Sequence, residues 1–221
     1  MKYTISRNDI EVCRQGNFVY IRNYKCASTF FYWNFVNKFL WKEISYHDID
    51  WDQDHVFSHI LDPIERRHKG IAEKIHMHRA SRLFLENETL QQSLAHACLL
   101  DNHTETYSTR FLDKAWLIDW IPLNCSHQEV IDLTEKLLEQ KLDWNMDWVH
   151  YGDNSKNSTI PGDNLKKQVE LKLREIWNSQ GQPEWLKAHY YSDQELYNAV
   201  ISGFNNQGVS WAEMSWLNNK R

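Results

Sequence analysis

Residues 23–29, Asn-Tyr-Lys-Cys-Ala-Ser-Thr, place a lysine and two hydroxyls between the stretch NFVYIRN and the aromatic run FFYWNFVNKFLW. If the first stretch is a strand and the second a helix, the helix starts near Ser28 with unpaired N–H groups and the positive end of its dipole facing the loop. That arrangement attracts phosphate or sulfate. Lys25, Ser28 and Thr29 would finish such a site. The signature GxxxxGK[ST] is absent, because the lysine precedes the turn and the loop contains no glycine, so an ordinary nucleoside triphosphatase is disfavoured. Further along, Arg66 and Lys69 stand three apart; on a helix they share a face and can reach one anion. Eleven histidines are available as bases near neutral pH.

Elements must hold these residues in place. NFVYIRN (17–23) alternates apolar and polar as a half-buried strand does, and Phe31, Phe35 and Phe39 recur at every fourth position, as on one face of a helix. A second unit has the same form, with DHVFSHI (54–60) as the strand and a helix from Pro63 to about His76. Asp62 as N-cap, Pro63 at N1 and Glu65 at N3 predict a capping box, which by itself explains all three residues. KEISYH (42–47) suits a further strand. TLQQSLAHACLL after Glu88 predicts a helix, AWLIDWIPL (115–123) a buried strand ended by Pro122, and Ser126 with Glu129 a capped helix to about Gln140. Leu165, Val169, Leu173, Ile176 and Trp177 mark an amphipathic helix, and Ser192 with Glu195 predicts the cap of a last helix carrying Leu196, Val200 and Ile201. The polar segment from Lys141 to Gly162 is long for a loop and reads as a lid or binding loop.

Strands interleaved with helices predict a helix-rich α/β fold of three layers. A central, mostly parallel sheet carries helices on both faces, and ligands sit at the carboxyl ends of its strands. With no repeat, low-complexity tract or linker, residues 1–221 are expected to form a single domain. A net charge of −5 argues against general duplex nucleic-acid binding and leaves room for a local basic pocket. Four scattered cysteines form no CxxC pair, and His76 and His78, two apart, do not share a helical face, so no metal site is expected. The N-terminus lacks the apolar run of a signal peptide and no later run is long enough to span a membrane; a soluble, cytoplasmic protein without membrane contact is the expectation.

The segment Lys25-Cys26-Ala27-Ser28-Thr29 resembles the 5′-phosphosulfate loop of sulfotransferases, which in carbohydrate enzymes commonly reads P-K-x-[AG]-[SC]-T; Asn23 and Tyr24 stand where a proline is usual. The resemblance implies a fold of the P-loop-like sulfotransferase type. It also implies 3′-phosphoadenosine 5′-phosphosulfate (PAPS) as the cofactor that donates the sulfuryl group. Lys25 would contact the bridging oxygen, and the backbone and hydroxyls from Cys26 to Phe30 would hold the 5′-phosphate and sulfuryl group. About thirty residues on, VFSHILDPIERRHKG is similar to the family's R-[DN]-P-x-x-R-x-x-S pattern. Asp62, Pro63 and Arg66 match in register, while Leu61 replaces the leading arginine and Lys69 the serine. Arg66 and Lys69 are the implied ligands of the 3′-phosphate. SYHDIDW resembles the neighbourhood of the heparan sulfate sulfotransferase histidine, which implies His47 as the base, with Asp48 and Asp50 to orient it. DNHTETY resembles a D-x-H segment near the acceptor, which makes His103 the competing candidate, ahead of His59 and Glu105. Asn154-Ser155, Asn157-Ser158 and Tyr190 with Asp193 fall where the family carries an Asn-Ser pair and a Y-x-x-D segment.

The expected reaction is transfer of a sulfuryl group from PAPS to an acceptor hydroxyl, with carbohydrate among the candidate acceptors and no metal required. Its rivals are a P-loop-like kinase and a non-catalytic glycan- or nucleotide-binding protein that keeps the fold. The departures at Leu61 and Lys69 make the second rival credible.

Overall fold

The computed structural model describes residues 10–97, 104–149 and 161–207. The chain forms two compact units. One comprises residues 1–60, 116–152 and 198–221, and the other residues 61–115 and 153–197.

The first unit is built on a five-stranded sheet of β1 (Val12–Gln15), β2 (Phe18–Ile21), β3 (Lys42–Ile44), β4 (His55–Ile60) and β5 (Asp119–Pro122), in the order β3-β1-β2-β4-β5. β1 and β2 form a hairpin through Gly16-Asn17, where Gly16 takes the positive φ of +59° that such a short turn demands. β1 pairs antiparallel with both β2 and β3, and β4 pairs parallel with β2 and β5. The sheet is therefore mixed, in place of the mostly parallel sheet expected. The reason is the one strand the sequence reading missed: β1 runs opposite to the other four, between β2 and β3. Because β2 leads to β3 on one side and β4 leads to β5 on the other, the order reverses between β2 and β4. Crevices at such switch points are where open α/β sheets bind ligands.

Helix α1 (Ser28–Trp33) follows β2 and widens into a π-helical turn at Asn34–Lys38. Phe31 and Phe35 are buried as expected, but the extra residue in the wide turn rotates Phe39 partly out of the core. The core is strongly aromatic: Tyr20, Phe35 and Phe57 meet at 5.0–5.9 Å, and Phe35 stacks on Trp41 at 4.3 Å. α6 (His127–Leu137) follows β5, opened by the capping box predicted at Ser126 and Glu129.

The second unit is helical. α2 (Pro63–Met77), α3 (Ser81–Glu86), α4 (Glu88–Ala95) and α7 (Pro161–Gln180) bury Ile71, Ile75, Phe84, Val169, Leu173 and Ile176 among themselves. α5 (Tyr107–Phe111) is short, and α8 runs without interruption over Glu184–Gln207. Ser192 therefore lies inside a helix and caps nothing; a Ser-x-x-Glu pattern occurs on helix surfaces as readily as at helix starts. Among the described residues no helix is long and apolar enough to cross a membrane.

Candidate functional site

The loop after β2 is the most constrained backbone in the sheet unit. Lys25 has φ +66° and Ala27 φ +52°, with Cys26 between them in ordinary territory. Each left-handed residue other than glycine costs about 1–2 kcal/mol, so two in three positions imply a shape the rest of the loop enforces. The Cys26 N–H between them is donated to the Asn23 carbonyl at 3.2 Å, which closes the turn ahead of the helix. α1 begins on this loop with Ala27 at its N-cap, and no side chain accepts a hydrogen bond from its first turn. The donors of Ser28, Thr29 and Phe30 are thus left open to a ligand.

The loop is anchored at both ends. Asn23 is fully buried and donates from Nδ2 to the His59 carbonyl at 2.9 Å, while Ser58 Oγ donates to the Ile21 carbonyl at 2.7 Å; together they tie the carboxyl ends of β2 and β4. The Glu11 carboxylate accepts from Arg22 Nη1 and from the Tyr24 hydroxyl, both at 2.6 Å, and the Arg22 guanidinium lies over the Tyr24 and Tyr32 rings. Cys26 and Ser28 are buried and Lys25 and Thr29 half-buried. Beneath the loop, Phe30 stacks on Trp144 at 5.5 Å. Glu135 holds the segment carrying that tryptophan, accepting from Lys141 Nζ, the Leu142 N–H and Trp144 Nε1 at 2.7–2.9 Å. Burial works against the charge on Glu135, but these donors hold its carboxyl below the ordinary range. Of the expected lid, residues 141–162, the part up to Trp144 is therefore fastened down and Pro161 and Gly162 open α7; residues 150–160, with Asn154, Ser155, Asn157 and Ser158, lie outside the described residues, as does His103.

The second motif is arranged differently. Asp62 Oδ1 accepts from the N–H groups of both Ile64 and Glu65 at 2.9 Å, so the start of α2 is filled by its own cap. The reciprocal half of the expected capping box is missing, because Glu65 turns to Lys69 at 3.0 Å and Arg174 at 3.2 Å. Arg66, 1% exposed, donates from Nη1 to the Glu105 carbonyl at 2.5 Å and lies over the Tyr107 ring. Arg67 is equally buried and donates to the Ala95 and Ala97 carbonyls. Arg66 and Lys69 do not share an anion-facing surface: one points inward and the other is half of an ion pair. Tyr190 and Asp193 serve packing and capping, Tyr190 donating to the Thr104 carbonyl at 2.7 Å and Asp193 accepting from the Tyr107 N–H that opens α5.

His47 is exposed on a 3-10 turn, Tyr46–Asp48. Asp48 is occupied in a capping box with Ser45, and Asp50 Oδ1 accepts from the Asp52 N–H, so neither acid orients the imidazole. Arg14 binds both the Asp48 carbonyl and the carboxylate of Asp54, which directly precedes β4. The turn is thereby tied to β1 and to the start of β4, and it follows the carboxyl end of β3, which lies level with that of β2 because Ile44 and Ile21 both pair with Val12. His59 is fully buried, stacked on Phe31 at 3.8 Å, with ring nitrogens 3.4 Å from Tyr20 Oη and 3.2 Å from Thr134 Oγ1; burial lowers its pKa to about 3. Glu105 is buried against Arg110 at 2.7 Å.

One histidine escaped the sequence reading. His127, the first residue of α6, sets its ring edge-to-face on Phe30 at 4.7 Å. Its position after a parallel strand was the available signal. The chain matches no protein-family model, no curated protein and no solved structure.

Proposed function

We propose that the protein is a sulfotransferase that moves a sulfuryl group from PAPS to an acceptor hydroxyl, with residues 24–30 cradling the 5′-phosphosulfate. The observation that carries this reading is the pair of left-handed residues Lys25 and Ala27 running into an uncapped helix. It leaves the first N–H donors of α1 open beside a lysine, at the switch point of an α/β sheet. The resemblance of the KCAST segment to the sulfotransferase loop supports the choice of a phosphosulfate over other anions.

In this reading the acceptor oxygen attacks sulfur in line, the bond from sulfur to the bridging phosphate oxygen breaks, and the departing 5′-phosphate takes the electron pair. The acceptor proton goes to a base. Lys25 and the amides of the loop offset the charge that develops on the leaving oxygen, which is the larger part of catalysis in such transfers. The 3′-phosphate role expected of Arg66 would require its guanidinium to exchange the Glu105 carbonyl for the ligand.

Calorimetric titration with adenosine 3′,5′-bisphosphate tests the reading. We expect binding, and about 2.7 kcal/mol of added stability at one hundred times the dissociation constant. Lys25→Ala should cut PAPS turnover by at least about 10²-fold with only a modest loss of bisphosphate affinity. Preference for ATP with magnesium would turn the assignment to a kinase. The burial of Arg66 and the Lys69–Glu65 pair favour one second reading, a protein that binds the nucleotide without turning it over. Tight bisphosphate binding with no PAPS consumption would select it.

A further inference from the structure

The proposed reaction needs a proton acceptor, and among the described residues a histidine that the sequence reading passed over is placed to serve. β5 runs parallel to β4 and β4 to β2, so the chain leaving β5 emerges at the same edge of the sheet as the loop of Lys25. His127 lies at that edge, held by the capping box of Ser126 and Glu129. Its ring contacts Phe30, whose N–H is one of the open donors of α1.

The two ring nitrogens of His127 have different surroundings. Nε2 is buried without a hydrogen-bond partner, and the ring centroid lies 4.7 Å from that of Phe30 and 6.4 Å from that of Phe31. A buried nitrogen without a partner has no route by which to exchange a proton with an acceptor, so Nε2 is not the nitrogen that takes one up. Nδ1, which is not among the buried unpartnered atoms, is the nitrogen left to accept a proton. Burial lowers the His127 pKa, which keeps the ring neutral at physiological pH. The elements packed against it bring the neutral His59 from β4 and the rings of Phe30 and Phe31 from α1; Glu129, on its own helix, is engaged with the Ser126 N–H at 2.7 Å.

We propose that His127 is the base of this site, its Nδ1 facing the bound sulfuryl donor and taking the proton of the incoming hydroxyl as the new O–S bond forms. The proposal rests on the sulfotransferase reading. The proton passes from the acceptor oxygen to Nδ1 and later to solvent, while the electron pair of the broken S–O bond leaves with the bisphosphate.

The test follows the imidazole Cε1–H signals of the full chain by NMR through a pH titration, with and without saturating adenosine 3′,5′-bisphosphate. A phosphate facing the ring favours the imidazolium form, so we expect the bound bisphosphate to raise the His127 pKa by about one unit while His47 stays unmoved. In parallel, His127→Asn should lower bisphosphate release from PAPS, with water or an added sugar as acceptor, by at least about 10²-fold and leave bisphosphate affinity within about threefold. Bisphosphate binding without a response at His127, or a fall in turnover of less than about threefold, overturns the assignment and leaves the sulfotransferase reading intact. No bisphosphate binding by the wild-type protein overturns that reading, and this inference with it.

Discussion

Two strand-loop-helix segments in this molecule look equivalent in sequence and are built on opposite principles. At α2 the helix start is satisfied internally: Asp62 takes two first-turn donors, and Arg66 one turn later is consumed by a backbone carbonyl. At α1 there is no cap, and the loop holds two non-glycine residues in left-handed conformations. The first arrangement needs no ligand to be complete. The second leaves donors open and accepts backbone strain to aim them. A helix start that its own side chains fully explain is weak evidence for a binding site, and one they leave open is better evidence.

The largest effect expected on this contrast is acid. Behind each segment lies a buried neutral histidine, His59 on β4 and His68 on α2, each with a pKa lowered to about 3, by burial first and, for His68, by Arg67 and Arg174 in addition. The unfolded chain protonates both near the ordinary value of 6.5, so the stability they contribute is complete above that pH and is lost as pH falls from 6.5 toward 3. The upper limit is about 5 kcal/mol for each. Urea denaturation at stepped pH should show this slope, and His68→Gln should flatten part of it; a stability constant between pH 7 and 5 would contradict the neutral burial of both rings.

Next in size is Arg66→Ala, which removes a buried charged donor and orphans the Glu105 carbonyl. We expect a loss of about 2–3 kcal/mol, measured by denaturant midpoint in the ligand-free protein. A stability unchanged by the substitution would mean that Arg66 is free to serve a ligand. Asp62→Ala should cost about 1 kcal/mol as the α2 cap disappears. Smallest, and of opposite sign, is Ala27→Gly. It relieves a left-handed alanine and, after glycine's own entropic cost, should leave stability unchanged or raised by up to about 1 kcal/mol. A clear destabilisation there would show that the loop is not strained and would erase the contrast with Asp62.

Much of this organisation was legible. The aromatic stripe of α1, the Asp62 and Ser126 caps and the buried face of α7 follow from periodicity and capping chemistry that act within a few residues. β1 could have been found from the Gly16-Asn17 pair between VCRQ and FVYI, a short-hairpin signal. Other features were out of reach for physical reasons. The left-handed residues Lys25 and Ala27 carry no glycine to announce them. The spacing of Arg66 and Lys69 says that they are helical neighbours but not which of them faces inward. The tie that holds the turn of His47 to β1 depends on Arg14, a residue more than thirty positions away in the chain. The partnership of Phe30 with His127 spans almost a hundred residues, and only the sheet order reveals it.

That sheet order also has a consequence for how the chain reaches its native state. β1, β2, β3 and β4 are contributed by the first sixty residues, and the hairpin of β1 and β2 closes over two residues, an event of microseconds. β5 arrives only after residues 61–115, which belong to the other unit, have been laid down. Closing so long an interval carries a larger entropic toll than any other pairing in the sheet. The edge from which His127 projects should therefore assemble last, and hydrogen exchange pulsed during refolding should find the amides of 119–122 protected after those of 12–21.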